Sequence, residues 1–118
     1  MKRIYVVEDD DLLALHYKRL LNGYDVRVFS NGIDAMAAID KNLPSCIVLD
    51  LMLDGPSGFA LLNELQSYTD TAKIPIIVCS NLASELGGQL QGYNISYIID
   101  KTTMSVDDLR QAVHELTN

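Results

Sequence analysis

Short apolar runs alternate with longer amphipathic stretches along the whole chain. Ile4 to Val7 reads as a strand, β-branched and aromatic, with no polar face to give to water. Leu13, Tyr17, Leu20 and Leu21 follow at helical spacing, until Asn22-Gly23 stops that helix. Tyr24, Val26 and Val28 alternate with polar neighbours, as a half-exposed edge strand does. After Asn31-Gly32, the positions Ala35, Met36 and Ile39 mark a second helix that ends before Pro44. Cys46 to Leu49 is a third strand, wholly apolar. Gly58, Leu61, Leu62 and Leu65 give a third helix at three-four spacing.

Pro75 opens a fourth strand, Ile76 to Cys79, proline being tolerated at a strand's first position. Leu82, Leu86 and Leu90 are helically spaced, but Gly87-Gly88 would cost about 2 kcal/mol against two alanines. A short helix is therefore expected between Ser84 and Gly92. Tyr97 to Ile99 makes a fifth strand. Ser105 caps a last helix with the apolar stripe Val106, Leu109, Ala112, Val113 and Leu116, and Asp107 and Asp108 lie near its positive end. Five βα units in series predict a parallel sheet covered on both faces. Right-handed crossovers then make it an α/β, doubly wound, three-layer sandwich of the flavodoxin-like (βα)5 kind.

Composition narrows the class. The 118 residues suit one domain, taken as 1–118, and 48% hydrophobic with 21% charged residues is ordinary for a globular protein. A net charge of −7, with nine scattered Lys and Arg, argues against direct nucleic-acid binding. No apolar run is long enough to span a membrane, and no secretory signal opens the chain, so a cytoplasmic location is expected. Cys46 and Cys79 sit inside apolar runs and read as small buried hydrophobes, not as a disulfide.

In such a sheet, ligands sit at the carboxyl ends of the strands. The first strand runs into Glu8, Asp9 and Asp10, the third ends in Asp50, the fourth in Ser80 and the fifth in Lys101. Carboxylates from two adjacent strands would converge and raise one another's pKa values. An oxygen-liganded divalent cation resolves the repulsion, and Mg2+ fits best, since it binds few carboxylates and keeps waters for a phosphate. Lys101 and Ser80 add a cation and a hydroxyl donor, completing a plausible phosphoryl site around a carboxylate nucleophile. Singly, each residue has a plainer reading: an acidic residue after a strand often caps the next helix, as Asp10 or Asp11 does here, and a lone Lys or Ser is usually solvated. Four complementary strand ends are much harder to dismiss.

The chain resembles the receiver domains of bacterial two-component response regulators, of the chemotaxis-regulator-like kind. Ile4-Tyr-Val-Val-Glu-Asp-Asp10 is similar to the receiver opening, and Cys46-Ile-Val-Leu-Asp-Leu-Met-Leu-Asp-Gly-Pro-Ser-Gly58 to the phosphorylation segment. Ile74-Pro-Ile-Ile-Val-Cys-Ser80 resembles the hydroxyl segment and Tyr97-Ile-Ile-Asp-Lys101 the lysine segment. The resemblance spans nearly the whole chain in order. It implies that Asp50 is the phosphoacceptor, with Mg2+ held by Glu8, Asp9, Asp50 and the backbone carbonyl of Met52. It implies that Ser80 moves to bond the phosphoryl group and that Lys101 pairs with it. Gly58 matches the glycine that opens the third helix. The implied donor is a sensor histidine kinase or phosphotransfer protein, and the implied reader a downstream protein target or output domain. Slow self-hydrolysis and a population shift along the surface around the fifth strand would follow.

Several positions depart from the family pattern. Thr102 stands where proline is usual, so a trans Lys101–Thr102 bond and a reshaped loop are expected. Ile98 occupies the usual aromatic switch position and Tyr97 lies one place earlier, so either the strand bulges or the aromatic switch is absent. Asn81 replaces a small residue and Asp54 a common proline. His16 and His114 lack ligand partners at a useful spacing and read as structural or solvated.

Other classes fit less well. An aspartate-nucleophile phosphatase wants a second Asp where Met52 stands. A flavin-binding carrier wants a hydroxyl- and Gly-rich phosphate loop, where Glu8-Asp9-Asp10 would repel phosphate. The alternative that stays open is a receiver-like protein-interaction module working without phosphorylation, kept alive by Thr102 and the missing aromatic.

Overall fold

All five apolar runs become parallel strands of one sheet in the order β2-β1-β3-β4-β5. The computed structural model describes residues 1–51, 58–81, 88 and 90–118, with Val106 described by its backbone alone. Within them the elements are β1 (Arg3–Val7), α1 (Asp11–Leu20), β2 (Asp25–Phe29), α2 (Gly32–Lys41), β3 (Cys46–Leu49), α3 (Gly58–Gln66), β4 (Ile76–Ser80), β5 (Tyr97–Asp100) and α4 (Val106–Thr117). The short helix expected between Ser84 and Gly92 falls largely outside the described residues.

Two separate cores flank the sheet, which is what makes the structure three-layered. Tyr5, Val7, Ile47, Leu49 and Val78 point to one side, against Met36 and Ile39 of α2 and Leu61, Leu62 and Leu65 of α3. Ile4, Val6, Val48, Ile77 and Cys79 point to the other, against Tyr17 and Leu21 at α1 and Leu109 and Val113 of α4. Strand alternation thus divides each unbroken apolar run between two cores, so β1, β3 and β4 carry almost no polar side chains. β2 is an edge strand as expected, but the alternation holds only in part: Val26 is buried, whereas Arg27 and Val28 are both exposed. β5, the other edge, is more open than its apolar sequence suggests: Tyr97 is 37% and Ile98 44% exposed. It has a neighbouring strand on one side only.

Polar residues close the helix ends. The Asp10 carboxylate accepts the backbone N–H groups of Leu12 and Leu13 at 3.0 and 3.1 Å, so Asp10 is the cap of α1. Asn31 caps α2 by accepting the Asp34 N–H at 2.8 Å. At α4 the Ser105 N–H donates to the Asp108 carboxylate at 2.8 Å, half of a capping box. Arg110 of α4 reaches across to the carbonyls of Leu20 and Asn22 at 2.9 and 2.7 Å, satisfying orphan acceptors where α1 ends. Gly23 makes the turn there, with φ +99°.

Gly58 is required for a different reason. Its N–H donates to the Leu51 carbonyl at 3.2 Å, pressing the start of α3 onto the end of β3. A Cβ at this position would lie 2.5 Å from the Asp50 carbonyl oxygen and 2.6 Å from the Leu51 Cα. Both are backbone atoms, so neither yields cheaply. Gly58→Ala is expected to destabilise the fold by about 2 kcal/mol through overpacking, read as a lower urea midpoint. An unchanged midpoint would show that this close approach is not rigid.

Candidate functional site at the carboxyl edge of the sheet

The chain leaves β1 toward one face and β3 toward the other, so a crevice opens between their carboxyl ends at the topological switch point. The backbone brings the acidic residues to it. The Glu8 N–H donates to the Phe29 carbonyl at 2.9 Å, continuing the β1–β2 ladder by one residue. The Asp50 N–H donates to the Val7 carbonyl at 3.0 Å, doing the same between β3 and β1. Lys101 arrives likewise, its N–H on the Ser80 carbonyl at 3.1 Å. Each side chain therefore springs from a residue still held by a sheet hydrogen bond.

Glu8, Asp9, Asp10, Leu13, Asp50, Asn81 and Lys101 line an open cleft of about 380 Å3. One carboxylate oxygen each from Glu8, Asp9 and Asp50 lies within 4.8 Å of the others. The Lys101 ammonium donates to Glu8 Oε1 at 2.6 Å and to Asp50 Oδ2 at 3.0 Å. These groups are nearly closed off from water, with side-chain exposures of 10% for Lys101, 1% for Glu8 and 7% for Asp50. Ser80 is fully buried at the end of β4 and does not line the cleft. Four of the six predicted site residues thus meet in one place. Ser80 sits beneath it, and the Met52 carbonyl lies outside the described residues.

Charge is unbalanced here. Lys101 is the only basic residue among the described residues that line the cleft, set against the carboxylates of Glu8, Asp9 and Asp50. Burial, opposed by the Lys101 bond and reinforced by the Asp50 charge, pushes Glu8 up to about 6 from its ordinary 4.5. For Lys101, burial works against the charged form, but the bonds to Glu8 and Asp50 outweigh it and hold its pKa above the ordinary value. Beneath the site, burial pushes both thiols, Cys46 and Cys79, up to about 12, and both are free. They are inert core residues, as their setting in apolar runs suggested. Neither His16 nor His114 belongs to the acidic cluster.

The departures at β5 resolve clearly. Tyr97, Ile98, Ile99 and Asp100 pair one-to-one with Ile77, Val78, Cys79 and Ser80, so no bulge shifts the strand. Ile98 therefore holds the position at which the resemblance leads one to expect an aromatic. Tyr97 points the opposite way, and its hydroxyl donates to the Glu115 carboxylate of α4. The Lys101–Thr102 bond is trans. The loop is closed by Asp100, whose Oδ1 accepts both the Thr102 N–H at 2.8 Å and the Thr102 hydroxyl at 2.6 Å. Asp100 was not among the sequence candidates. Its signal was legible in the Asp-x-Thr spacing, since an Asp carboxylate readily bonds backbone two residues on.

The chain matches the response regulator receiver domain family over residues 4–114. It is 32% identical over 87 residues to the phosphate regulon transcriptional regulatory protein PhoB of Rhizobium meliloti, covering 72% of this chain and 38% of that protein. The chain thus spans well under half the length of such curated relatives. The receiver domain of a signal transduction histidine kinase from Syntrophus aciditrophicus superposes with a TM-score of 0.88 at 26% identity, covering 99% of this chain and 90% of that one. The receiver domain of sensor histidine kinase PA1611 from Pseudomonas aeruginosa PAO1 has the same fold at 20% identity, with a TM-score of 0.84 over 98% of this chain and 97% of that one. That structure carries a magnesium ion coordinated in its active-site cleft.

The pKa of Glu8 has a thermodynamic consequence. A folded-state value above the unfolded one favours the neutral carboxyl in the fold. The stabilisation is therefore full below the unfolded pKa and lost as pH rises through about 6. Between pH 4 and 7 the metal-free wild type should lose about 2 kcal/mol relative to Glu8→Gln, measured by urea unfolding at each pH. A pH-independent difference between the two proteins would contradict the raised Glu8 value.

Proposed function

This chain belongs to the response regulator receiver domain family of two-component signalling, and we propose that Asp50 is its phosphoacceptor, served by Lys101, Ser80 and a Mg2+ ion. The observation that carries the reading is the convergence of Glu8, Asp9 and Asp50 oxygens within 4.8 Å of one another at an open cleft, with the Lys101 ammonium bonded to Glu8 and Asp50. Three carboxylates and one lysine make the described lining of the cleft net negative, which suits an oxygen-liganded divalent cation. Glu8, Asp9 and Asp50 would hold the Mg2+, with the Met52 carbonyl as a further oxygen ligand. When bound, the ion neutralises charge on the phosphoryl oxygens and on the carboxylates beside them.

The protein's own groups do the rest. An Asp50 carboxylate oxygen attacks the phosphorus of a phosphohistidine, forming an acyl phosphate as the phosphorus–nitrogen bond breaks and the imidazole leaves. The Lys101 ammonium, already bonded to Asp50 Oδ2, then pairs with an oxygen of the incoming group. Ser80 is fully buried at the end of β4, the strand beside Asp50's, and in this reading its hydroxyl moves to donate to the phosphoryl group as the switch begins. Ile98 lies next to Ile99 and Asp100 on an exposed strand edge, so the change passes to a surface without an aromatic at that position. The domain signals by being modified, and its only catalysis is of its own phosphorylation and slow hydrolysis.

The donor is a sensor histidine kinase or phosphotransfer protein, and the reader is a protein target or output domain. Among the described residues, no helix is long and apolar enough to cross a membrane. We place the chain in the cytoplasm, with no direct contact to nucleic acid, consistent with its net charge of −7. The assembled acidic set and Lys101 favour phosphorylation over a receiver-like interaction module.

Incubation with acetyl phosphate and Mg2+, followed by intact-mass measurement, is expected to add one phosphoryl group to the wild type and none to Asp50→Asn. No adduct on the wild type, or an undiminished one on Asp50→Asn, would sink the acceptor assignment.

A further inference from the structure

We propose that Asp100 and Thr102 are positioning residues for Lys101, closing the turn that aims its ammonium at Glu8 and Asp50. The proposal rests on the phosphoacceptor reading for its effect on the reaction, though not for its effect on Lys101 itself. Lys101 is bracketed on both sides. Before it, its own N–H is held by the Ser80 carbonyl at 3.1 Å, the last rung between β4 and β5. After it, one carboxylate oxygen of Asp100 takes the N–H and the hydroxyl of Thr102 at 2.8 and 2.6 Å. The Thr103 N–H adds a third tie, to the Asp100 carbonyl at 3.3 Å. The residue in the middle of this turn has its Cα direction set without any contact to its own side chain.

That constraint matters because of what Lys101 must do. Its four-carbon stem is flexible, and ordering such a side chain costs up to about 2 kcal/mol. The ammonium must nevertheless meet two carboxylates 93 and 51 residues away in sequence, at 2.6 and 3.0 Å. A turn that drifts by an ångström would break one of those bonds and spend the ordering cost again. Asp100 keeps its charge for this task, since the Thr102 bonds hold its carboxyl below the ordinary value. The plainer reading is a turn that merely ends β5, as Asp and Thr commonly do. It predicts a loss of stability unrelated to the lysine, and the two readings separate by experiment.

Two measurements decide between them. The first is the rate of phosphoryl uptake from acetyl phosphate with Mg2+, followed by intact mass. Asp100→Ala should slow uptake about tenfold and Thr102→Val about threefold, while Thr102→Ser, which keeps both donors, stays within about twofold of wild type. In a Lys101→Ala background, Asp100→Ala should add no further slowing. The second is the 15N-detected ammonium signal of Lys101, identified by its loss in Lys101→Ala and shielded from solvent exchange by its pairing. It should survive in Thr102→Ser and broaden or vanish in Asp100→Ala, with far-UV circular dichroism unchanged. Thr102→Val, a near-isosteric change at an exposed position, carries the test by itself if Asp100→Ala does not fold. The proposal is overturned if the ammonium signal is unaffected by these changes, or if Asp100→Ala slows uptake equally with and without Lys101. A wild type that takes up no phosphate, but whose Lys101 signal depends on Asp100, overturns the acceptor reading and leaves the positioning role standing.

Discussion

A single lysine ammonium shared by two buried carboxylates holds the working end of this molecule together. Glu8 and Asp50 are among the least exposed ionisable groups of the described residues, and both bond the Lys101 ammonium. Burying a pair of like charges is costly, and an ammonium between them returns part of that cost only with good geometry. The return is incomplete, as the raised pKa of Glu8 records. The cleft is thus left net negative among its described lining residues, which is the state the proposed Mg2+ site would relieve.

The sheet makes that arrangement possible. Parallel pairing between β1, β3 and β4 puts three strand ends at one level, and Glu8, Asp50 and Lys101 each still carry a ladder hydrogen bond where their side chains enter the cleft. The reversal of winding between β1 and β3 leaves the crevice open where helices would otherwise close it. Gly58 brings α3 down onto Asp50 and Leu51, backbone against backbone, which confines the main chain of Asp50. The paired cores beneath supply the rigidity that keeps these distances short.

At β5 the chain departs from the pattern its sequence resembles. Ile98 stands where that pattern has an aromatic, and Tyr97 is tied to Glu115 on α4. An isoleucine cannot swing a polar tip between solvent and core, so any relay here works through packing and strand movement. Thr102 changes the loop after Lys101 more subtly. Its N–H and hydroxyl are both donors, and Asp100 uses both. A chain with no N–H at that position would have to shape the same loop by other means. The groups at the strand ends act through charge and reach, so they do not depend on which residue stands at position 98 or 102.

The chain order of elements, the division between strands and helices, and the acidic, hydroxyl and basic strand ends were all legible from periodicity and residue type. These are local properties: apolar runs need burial on two faces, three-four spacing needs one, and Asp10, Asn31 and Ser105 announce helix starts by their side-chain chemistry. The strand order and the meeting of residues 8, 50 and 101 were legible only through a general rule of α/β folds, not from the residues themselves. Other features lay beyond the sequence. The exposure of β5 follows from its edge position, which its apolar composition hides. The side taken by Tyr97 depended on a register that one bulge would have reversed. The burial of Ser80 and the turn built by Asp100 depend on where neighbouring strands end. Sequence by itself determined which groups this protein has to work with and which elements carry them. Tertiary structure alone decided their distances, their burial and hence their charge, because those quantities are set by neighbours far away in the chain.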